Sequence, residues 1–282
     1  MKLKRVARGD AIRNAAEDPS GTWRDVTDVT GDLSAKCLAN DGLAALHGAD
    51  LTALPELGAY DRLLPCVGSV GKFMCIGLNY SDHAEEAGMA IPDHPILFLK
   101  ANSAIAGAQD DLLMPRGSKA LDWEVELGVI IGKPAKYVDE ARALDHVAGY
   151  CVVNDVSERD FQLHLTGQWT KGKSCDTFGP IGPWFVTADA VPDPQALSLW
   201  AEVNGQRMQA GHSSTMIFTV AQIIAHLSQL MTLHPGDVIA TGTPPGVGMG
   251  MKPPRYLKPG DEVKAGIEGL GEQVQRVIED QS

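Results

Sequence analysis

Within the run Asp122-Trp123-Glu124-Val125-Glu126-Leu127-Gly128-Val129-Ile130-Ile131, two carboxylates lie two residues apart among apolar and β-branched neighbours. That composition reads as a strand, where residues i and i+2 share a face, so Glu124 and Glu126 stand side by side. Two uncompensated carboxylates beside a buried sheet repel each other and lose solvation, so they need a proton, a cation or water. A divalent metal meets that need; an edge strand with a wet polar face is the other reading of these two residues. About thirty residues on, Val147-Ala148-Gly149-Tyr150-Cys151-Val152-Val153-Asn154-Asp155 forms a second apolar run ending in an acid. Asp155 at that strand end supplies a third oxygen ligand. Three carboxylates with no His or Cys pair nearby suit a hard cation, Mg²⁺, Mn²⁺ or Ca²⁺, rather than zinc or copper.

Further groups capable of chemistry flank this trio. Asn79-Tyr80-Ser81-Asp82-His83-Ala84-Glu85-Glu86-Ala87-Gly88 reads as a short helix capped by Asn79 or Ser81 and stopped by Gly88. His83 and Glu86, three apart, share a face, and a carboxylate beside an imidazole fixes its tautomer and raises its basicity, as a general base for water requires. Gly77 and Gly88 would let this helix move as a lid. Arg159 and Gln162, again three apart, follow directly after Asp155; they reach either a substrate carboxylate and carbonyl or, for Arg159, a structural salt bridge. Lys173 sits between Gly172 and Gly179 in a stretch that reads as a loop, where an ammonium could stabilise an oxyanion. The Gly/Pro-rich segment 239–250 has neither the Walker lysine nor a following helix, so it is not a nucleotide loop. It offers backbone N–H groups and the Thr243 hydroxyl, or serves as a connection stiffened by proline.

The elements that must position these groups are mostly short strands. Residues 73–77, 96–100, 124–131, 149–155, 184–187 and 200–203 fit strands, and 2–6 and 22–26 are further candidates near the start. The longest helix expected is 219–231, with Val220, Ile223, Ile224, Leu227 and Leu230 at helical spacing. Residues 1–70 differ in character and read as a small N-terminal domain without a chemical cluster, ahead of a main domain over 71–282. Many strands with scattered helices imply a β-rich α+β fold rather than alternating βαβ units. With 282 residues, 44% hydrophobic and 21% charged, the chain has the composition of a soluble globular protein. Its net charge of −12 opposes nucleic acid or anionic membrane as partners. Five widely spaced cysteines with no C-x-x-C suit reduced thiols in the cytoplasm, and no apolar stretch is long enough for a signal peptide or a transmembrane helix.

Read together, G-L-N-Y-S-D-H-A-E-E (77–86), F-L-K (98–100), D-W-E-V-E-L-G-V-I-I-G (122–132), G-Y-C-V-V-N-D-V-S-E-R-D-F-Q (149–162), K-G-K-S-C-D-T-F-G-P (171–180) and T-G-T-P-P-G-V-G (241–248) resemble the fumarylacetoacetate hydrolase family. D-T-F-G-P-I-G-P-W (176–184) and P-G-V-G-M-G-M-K-P-P (245–254) resemble its bacterial sugar-acid branch, which includes 2,4-diketo-3-deoxy-L-rhamnonate hydrolases and proteins labelled ureidoglycolate lyase. The resemblance implies a mixed β-roll core, a homodimer, and Mg²⁺ or Mn²⁺ on Glu124, Glu126 and Asp155. It places the catalytic roles on His83, Glu86 and Lys173, and substrate contacts on Lys100, Arg159, Gln162 and Thr243. It departs from the longer fumarylacetoacetases in lacking an acid in Cys75-Ile76-Gly77, which points away from fumarylacetoacetate itself. The implied reaction is metal-dependent hydrolysis of a C–C bond in a 2,4-dioxo acid; oxaloacetate-type decarboxylation and ureidoglycolate cleavage are the alternatives.

Overall fold

A computed structural model describes residues 1–39, 42–88 and 90–281. As expected, the fold is β-rich α+β with mixed sheets. The larger, eleven-stranded sheet runs in the order Trp23–Asp25, Ala11–Glu17, Lys2–Arg8, Gly179–Thr187, Val147–Asn154, Val125–Ile131, Val238–Ala240, Phe73–Gly77, Ile96–Lys100, with two short strands beside this path. A second sheet contains Gln206–His212, Ser198–Val203, Glu262–Ile267, Gly271–Glu279 and Leu112–Met114. The N-terminal strands belong to the larger sheet: Lys2 and Leu3 pair with Val186 and Phe185, and the Met1 ammonium donates to Thr187 Oγ1 at 2.6 Å.

The strand Val125–Ile131 is buried along its whole length. Its odd residues, Val125, Leu127, Val129 and Ile131, pack in one core with Leu199, Ala201, Val203, Val263 and Ala265 of the second sheet. On the other face, Ile130 packs in a separate core with Phe73, Cys75, Phe98 and Val153. Period-2 alternation therefore turns Glu124 and Glu126 onto that second face, and the wet edge-strand reading does not apply.

Neighbouring strands converge on the same end. Asp155 N–H donates to Glu124 O at 2.9 Å, which sets Asp155 opposite Glu124. Val238–Ala240 pairs with Gly128–Ile130 and sends the Gly/Pro-rich segment past Glu126. Phe73–Gly77 runs parallel to Val238–Ala240 and delivers the helix Ser81–Ala87 beside it. The expected long helix is Val220–Leu230, with Thr219 and Gln222 forming a capping box. Among the described residues no helix is long and apolar enough to cross a membrane, and all five cysteines are free.

Candidate active site

One carboxylate oxygen each from Glu124, Glu126 and Asp155 lie within 4.8 Å of one another, and all three residues are buried. Cations surround two of them. Lys173 Nζ is 2.7 Å from both Glu124 Oε2 and Asp155 Oδ2. Arg159 Nη2 donates to Glu124 Oε1 at 2.6 Å, while its Nε donates to Asp122 Oδ2 at 2.8 Å. Lys100 Nζ donates to Asp155 Oδ1 and to Val156 O. Among the described residues Glu126 has no cation in hydrogen-bond contact, and the Gly242 N–H donates to it at 2.8 Å.

The electrostatics follow this pairing. Burial pushes the Glu124 carboxyl up, but Lys173 and Arg159 outweigh it and hold the group down at about 2. Burial raises Glu126 well above the usual carboxylate range, and the charges on Asp155 and Glu124 push it further. Lys173 is disfavoured as a cation by burial, yet Asp155 and Glu124 more than compensate and raise it. An all-oxygen donor set in which the carboxylate of Glu126 has no described cation bonded to it fits a hard divalent cation.

These side chains are held by short elements whose packing is tight. Glu158 caps the helix Arg159–Leu163 by accepting from Phe161 N–H at 2.7 Å, and its other oxygen accepts from Lys119 and Ala120 N–H. Lys173 is not in an open loop: it ends the four-residue helix Thr170–Lys173 and is 2% exposed. Gly172 makes this possible, because a Cβ there would meet Glu158 O at 2.3 Å and Gln162 N at 2.4 Å. The two helices can touch only through a residue without a side chain.

His83 Nδ1 lies 3.1 Å from Glu86 Oε2, within the expected short helix. Neither Asn79 nor Ser81 caps that helix through its side chain; Tyr80 is the capping position, and Gly88 in the left-handed conformation ends it. Glu86 also accepts from Gly246 N–H at 3.2 Å, tying the helix to the Gly/Pro-rich segment. Gly77 has a packing role in addition to any hinge, since a Cβ there would come within 2.2 Å of the Trp169 ring.

A cavity of about 160 Å³ brings together His83, Glu124, Glu126, Asp155, Arg159, Gln162, Lys173 and Thr243. Lys100 is the exception among the substrate-side residues expected: it does not line the cavity but braces Asp155. The Thr243 hydroxyl is engaged, donating to Val125 O at 2.9 Å and accepting from Gln209 Nε2 at 2.8 Å. Arg159 adopts the salt-bridged alternative, and its Nη1 also donates to Gln162 Oε1 at 3.0 Å. That bond leaves the Gln162 amide nitrogen as its free donor end. A larger surface depression of about 600 Å³ beside Trp184 and Trp200 contains none of these residues.

The sequence reading passed over Asp122. Fully buried, it accepts from Arg159, from Gly248 N–H at 2.7 Å and from Met249 N–H at 3.0 Å. It thus fastens the guanidinium and the Gly/Pro-rich segment to one strand end. Its spacing, two before Glu124, was the available signal.

The fumarylacetoacetate (FAA) hydrolase C-terminal family matches residues 72–278. The chain belongs to the fumarylacetoacetate hydrolase family. A Burkholderia multivorans protein whose name goes no further than hydrolase is 58% identical over 276 residues, 98% of each chain. The fumarylacetoacetate hydrolase structure from psychrophilic Exiguobacterium antarcticum superposes with a TM-score of 0.86 at 37% identity, covering 99% of this chain and all of that one. Maleylpyruvate hydrolase from a Sphingobium species, solved with manganese(II) and pyruvate, gives a TM-score of 0.81 at 31% identity, covering 98% of this chain and all of its own.

Proposed function

We propose that this protein is a divalent-metal-dependent hydrolase that cleaves the C–C bond of a 2,4-dioxo acid to pyruvate and a small carboxylate. The observation that carries this reading is the convergence, in one cavity, of three buried carboxylates with His83, whose ring is paired with Glu86 behind it. Glu124, Glu126 and Asp155 would hold Mg²⁺ or Mn²⁺, which when bound supplies Lewis acidity toward the 2-oxo carboxylate end. The Sphingobium neighbour's complex with manganese and pyruvate supports both halves of that assignment.

The protein's own groups carry the proton chemistry. With Nδ1 facing Glu86, His83 has Nε2 free to take a proton from water as the hydroxyl adds to the C4 carbonyl. The Gln162 amide nitrogen would stabilise the oxygen of that addition, and Lys173 would join it by redirecting the N–H of its longest hydrogen bond, to Asp155 O at 3.4 Å. The C3–C4 bond then breaks, its electron pair leaves with the pyruvate half, and His83 returns the proton to C3. The remaining N–H groups of Arg159 steady the substrate carboxylate, and Thr243 shapes the cavity beside it. Lys100 acts by holding Asp155 in place.

The candidate substrate is 2,4-diketo-3-deoxy-L-rhamnonate, with pyruvate and lactate as products. A cytoplasmic homodimer, with residues 1–70 as a small domain extending the catalytic one, belongs to the same proposal. The deciding experiment is product analysis by mass on the Mg²⁺-loaded protein and its His83→Ala variant, with this substrate, oxaloacetate and ureidoglycolate. Pyruvate with lactate, abolished by chelation and by the substitution, is the expected result. Pyruvate from oxaloacetate alone, undiminished in His83→Ala, would replace hydrolysis with decarboxylation, and glyoxylate with urea would make the protein a ureidoglycolate lyase.

A further inference from the structure

Apart from Gly77 and the polar groups already named, the cavity lining is hydrocarbon: Ile76, Leu78, Phe98, Leu163, Trp169 and Met249, with the Lys173 ammonium 5.1 Å from the centre of the Phe98 ring. The cations in that lining, Arg159 and Lys173, are both already bonded to carboxylates. A second negative charge at the far end of a substrate would meet apolar surface and lose its hydration without a partner. The volume, about 160 Å³, lies below the roughly 300–1,000 Å³ of pockets that take drug-sized ligands, so there is room only for a short tail.

Two adjacent residues show that this wall is positioned. Leu78 has φ of 51°, in the left-handed region that a leucine rarely adopts. The next residue clamps it there: the buried Asn79 amide donates to Thr241 O at 2.8 Å and to Phe218 O at 3.0 Å, and accepts from Phe218 N–H at 2.8 Å. A strained residue that its neighbours over-determine, beside reacting groups, marks a side chain placed for use. Gly77 is the complement, lacking a side chain where the Trp169 ring packs. The order Gly77-Leu78 thus omits the side chain where the indole needs space and retains one where the backbone disfavours it. Trp169 precedes Lys173 by four residues on the same short helical turn, which places both in one cavity. Its ring meets Phe98 edge-on at 5.4 Å.

We propose that Leu78, Phe98 and Trp169 form the specificity wall of this site, seating a short uncharged acyl tail of the dioxo acid and rejecting a tail that ends in a second carboxylate. The inference rests on the hydrolase reading above. A matched pair tests it: 2,4-dioxoheptanoate and 2,4-dioxoheptanedioate differ only in ending in a methyl or a carboxylate. The Mg²⁺-loaded protein is expected to favour the methyl-ended acid in kcat/KM by about tenfold or more. Leu78→Ala should narrow that preference and raise the relative turnover of longer tails. The binding readout is tryptophan fluorescence: butyrate should quench it more strongly than succinate, and Trp169→Phe should remove the difference. Equal or better turnover of the dicarboxylate, with pyruvate still released, overturns the wall and leaves the hydrolase standing. Pyruvate from neither acid overturns the hydrolase reading, and the wall with it.

Discussion

Glu124, just before the strand Val125–Ile131, and Glu126 on it reach one cavity, yet replacing each by glutamine should affect the metal-free protein very differently. Glu124 is hydrogen-bonded to Arg159 and Lys173, both buried. Removing one partner of a buried ion pair costs about 3–5 kcal/mol. Because Arg159 keeps Asp122 and Lys173 keeps Asp155, Glu124→Gln should fall near the lower limit, about 3 kcal/mol. No described cation is hydrogen-bonded to Glu126, and glutamine preserves an acceptor for Gly242 N–H, so Glu126→Gln should stay within about 1 kcal/mol. At roughly 2–4 °C per kcal/mol for a chain of this size, the melting temperature drops by about 6–12 °C in the first variant and by a few degrees at most in the second. Calorimetry in chelator reads this directly. Adding Mn²⁺ should then raise the melting temperature of the unsubstituted protein and of neither variant. Equal losses in chelator would refute the claim that Glu126 stands without a counter-charge.

Further outcomes follow from the same contacts. In chelator, stability should fall as pH rises above the usual carboxylate value of 4.5, because the folded protein keeps a proton on Glu126 that the unfolded chain has released. Glu126→Gln should lack that slope, while Glu124, held at about 2, adds stability that is complete above 4.5 and lost as pH falls toward 2. Metal binding must displace the Glu126 proton, so calorimetric titration with Mn²⁺ in buffers of different ionisation heat should show proton release; its absence counts against Glu126 as a ligand. Gly172→Ala should cost about 1–3 kcal/mol and displace Lys173, read as a lower melting temperature together with lost turnover; unchanged values would contradict the close helix contact. Asp122→Asn sets an amide NH₂ against either Arg159 and Met249 or Gly248 and Trp123 and should destabilise by about 3 kcal/mol without abolishing Mn²⁺ binding.

The strands 73–77 and 96–100 were legible to the residue, because an apolar run bounded by glycine or lysine marks both ends locally. The carboxylate trio was legible from period-2 spacing and a strand-end acid. The helix Thr170–Lys173 was not: Thr170-Lys171-Gly172-Lys173 has no helical periodicity, and the turn forms because Gly172 lets it lie against residues 158–162. The pairing of Lys2–Arg8 with Gly179–Thr187 was equally hidden. Partners so far apart in sequence leave no local trace. Ala11–Glu17 mixes alanine with Arg13, Asn14 and Glu17 and matches neither period, yet it forms a strand because its neighbour supplies the ladder. The uses of Lys100 and Asp122 depend on side-chain reach across elements, which spacing along one element does not encode.

Charge balance links the metal assignment to the choice of substrate. Asp122, Glu124 and Asp155 are matched by Arg159, Lys173 and Lys100, each pair in hydrogen-bond contact. Among the described residues of this cluster Glu126 is left over, and burial raises its carboxyl well above the usual carboxylate range. A divalent ion that ionises Glu126 leaves the buried cluster with one net positive charge. On the proposed reading a monocarboxylate would neutralise that charge, whereas a dicarboxylate would leave an excess negative charge against Leu78, Phe98 and Trp169, where the neighbouring cation, Lys173 over the Phe98 ring, is already paired with Glu124 and Asp155. On that reading, the leftover carboxylate and the hydrocarbon wall would therefore select for the same ligand, an acid with one charged end and one short uncharged end.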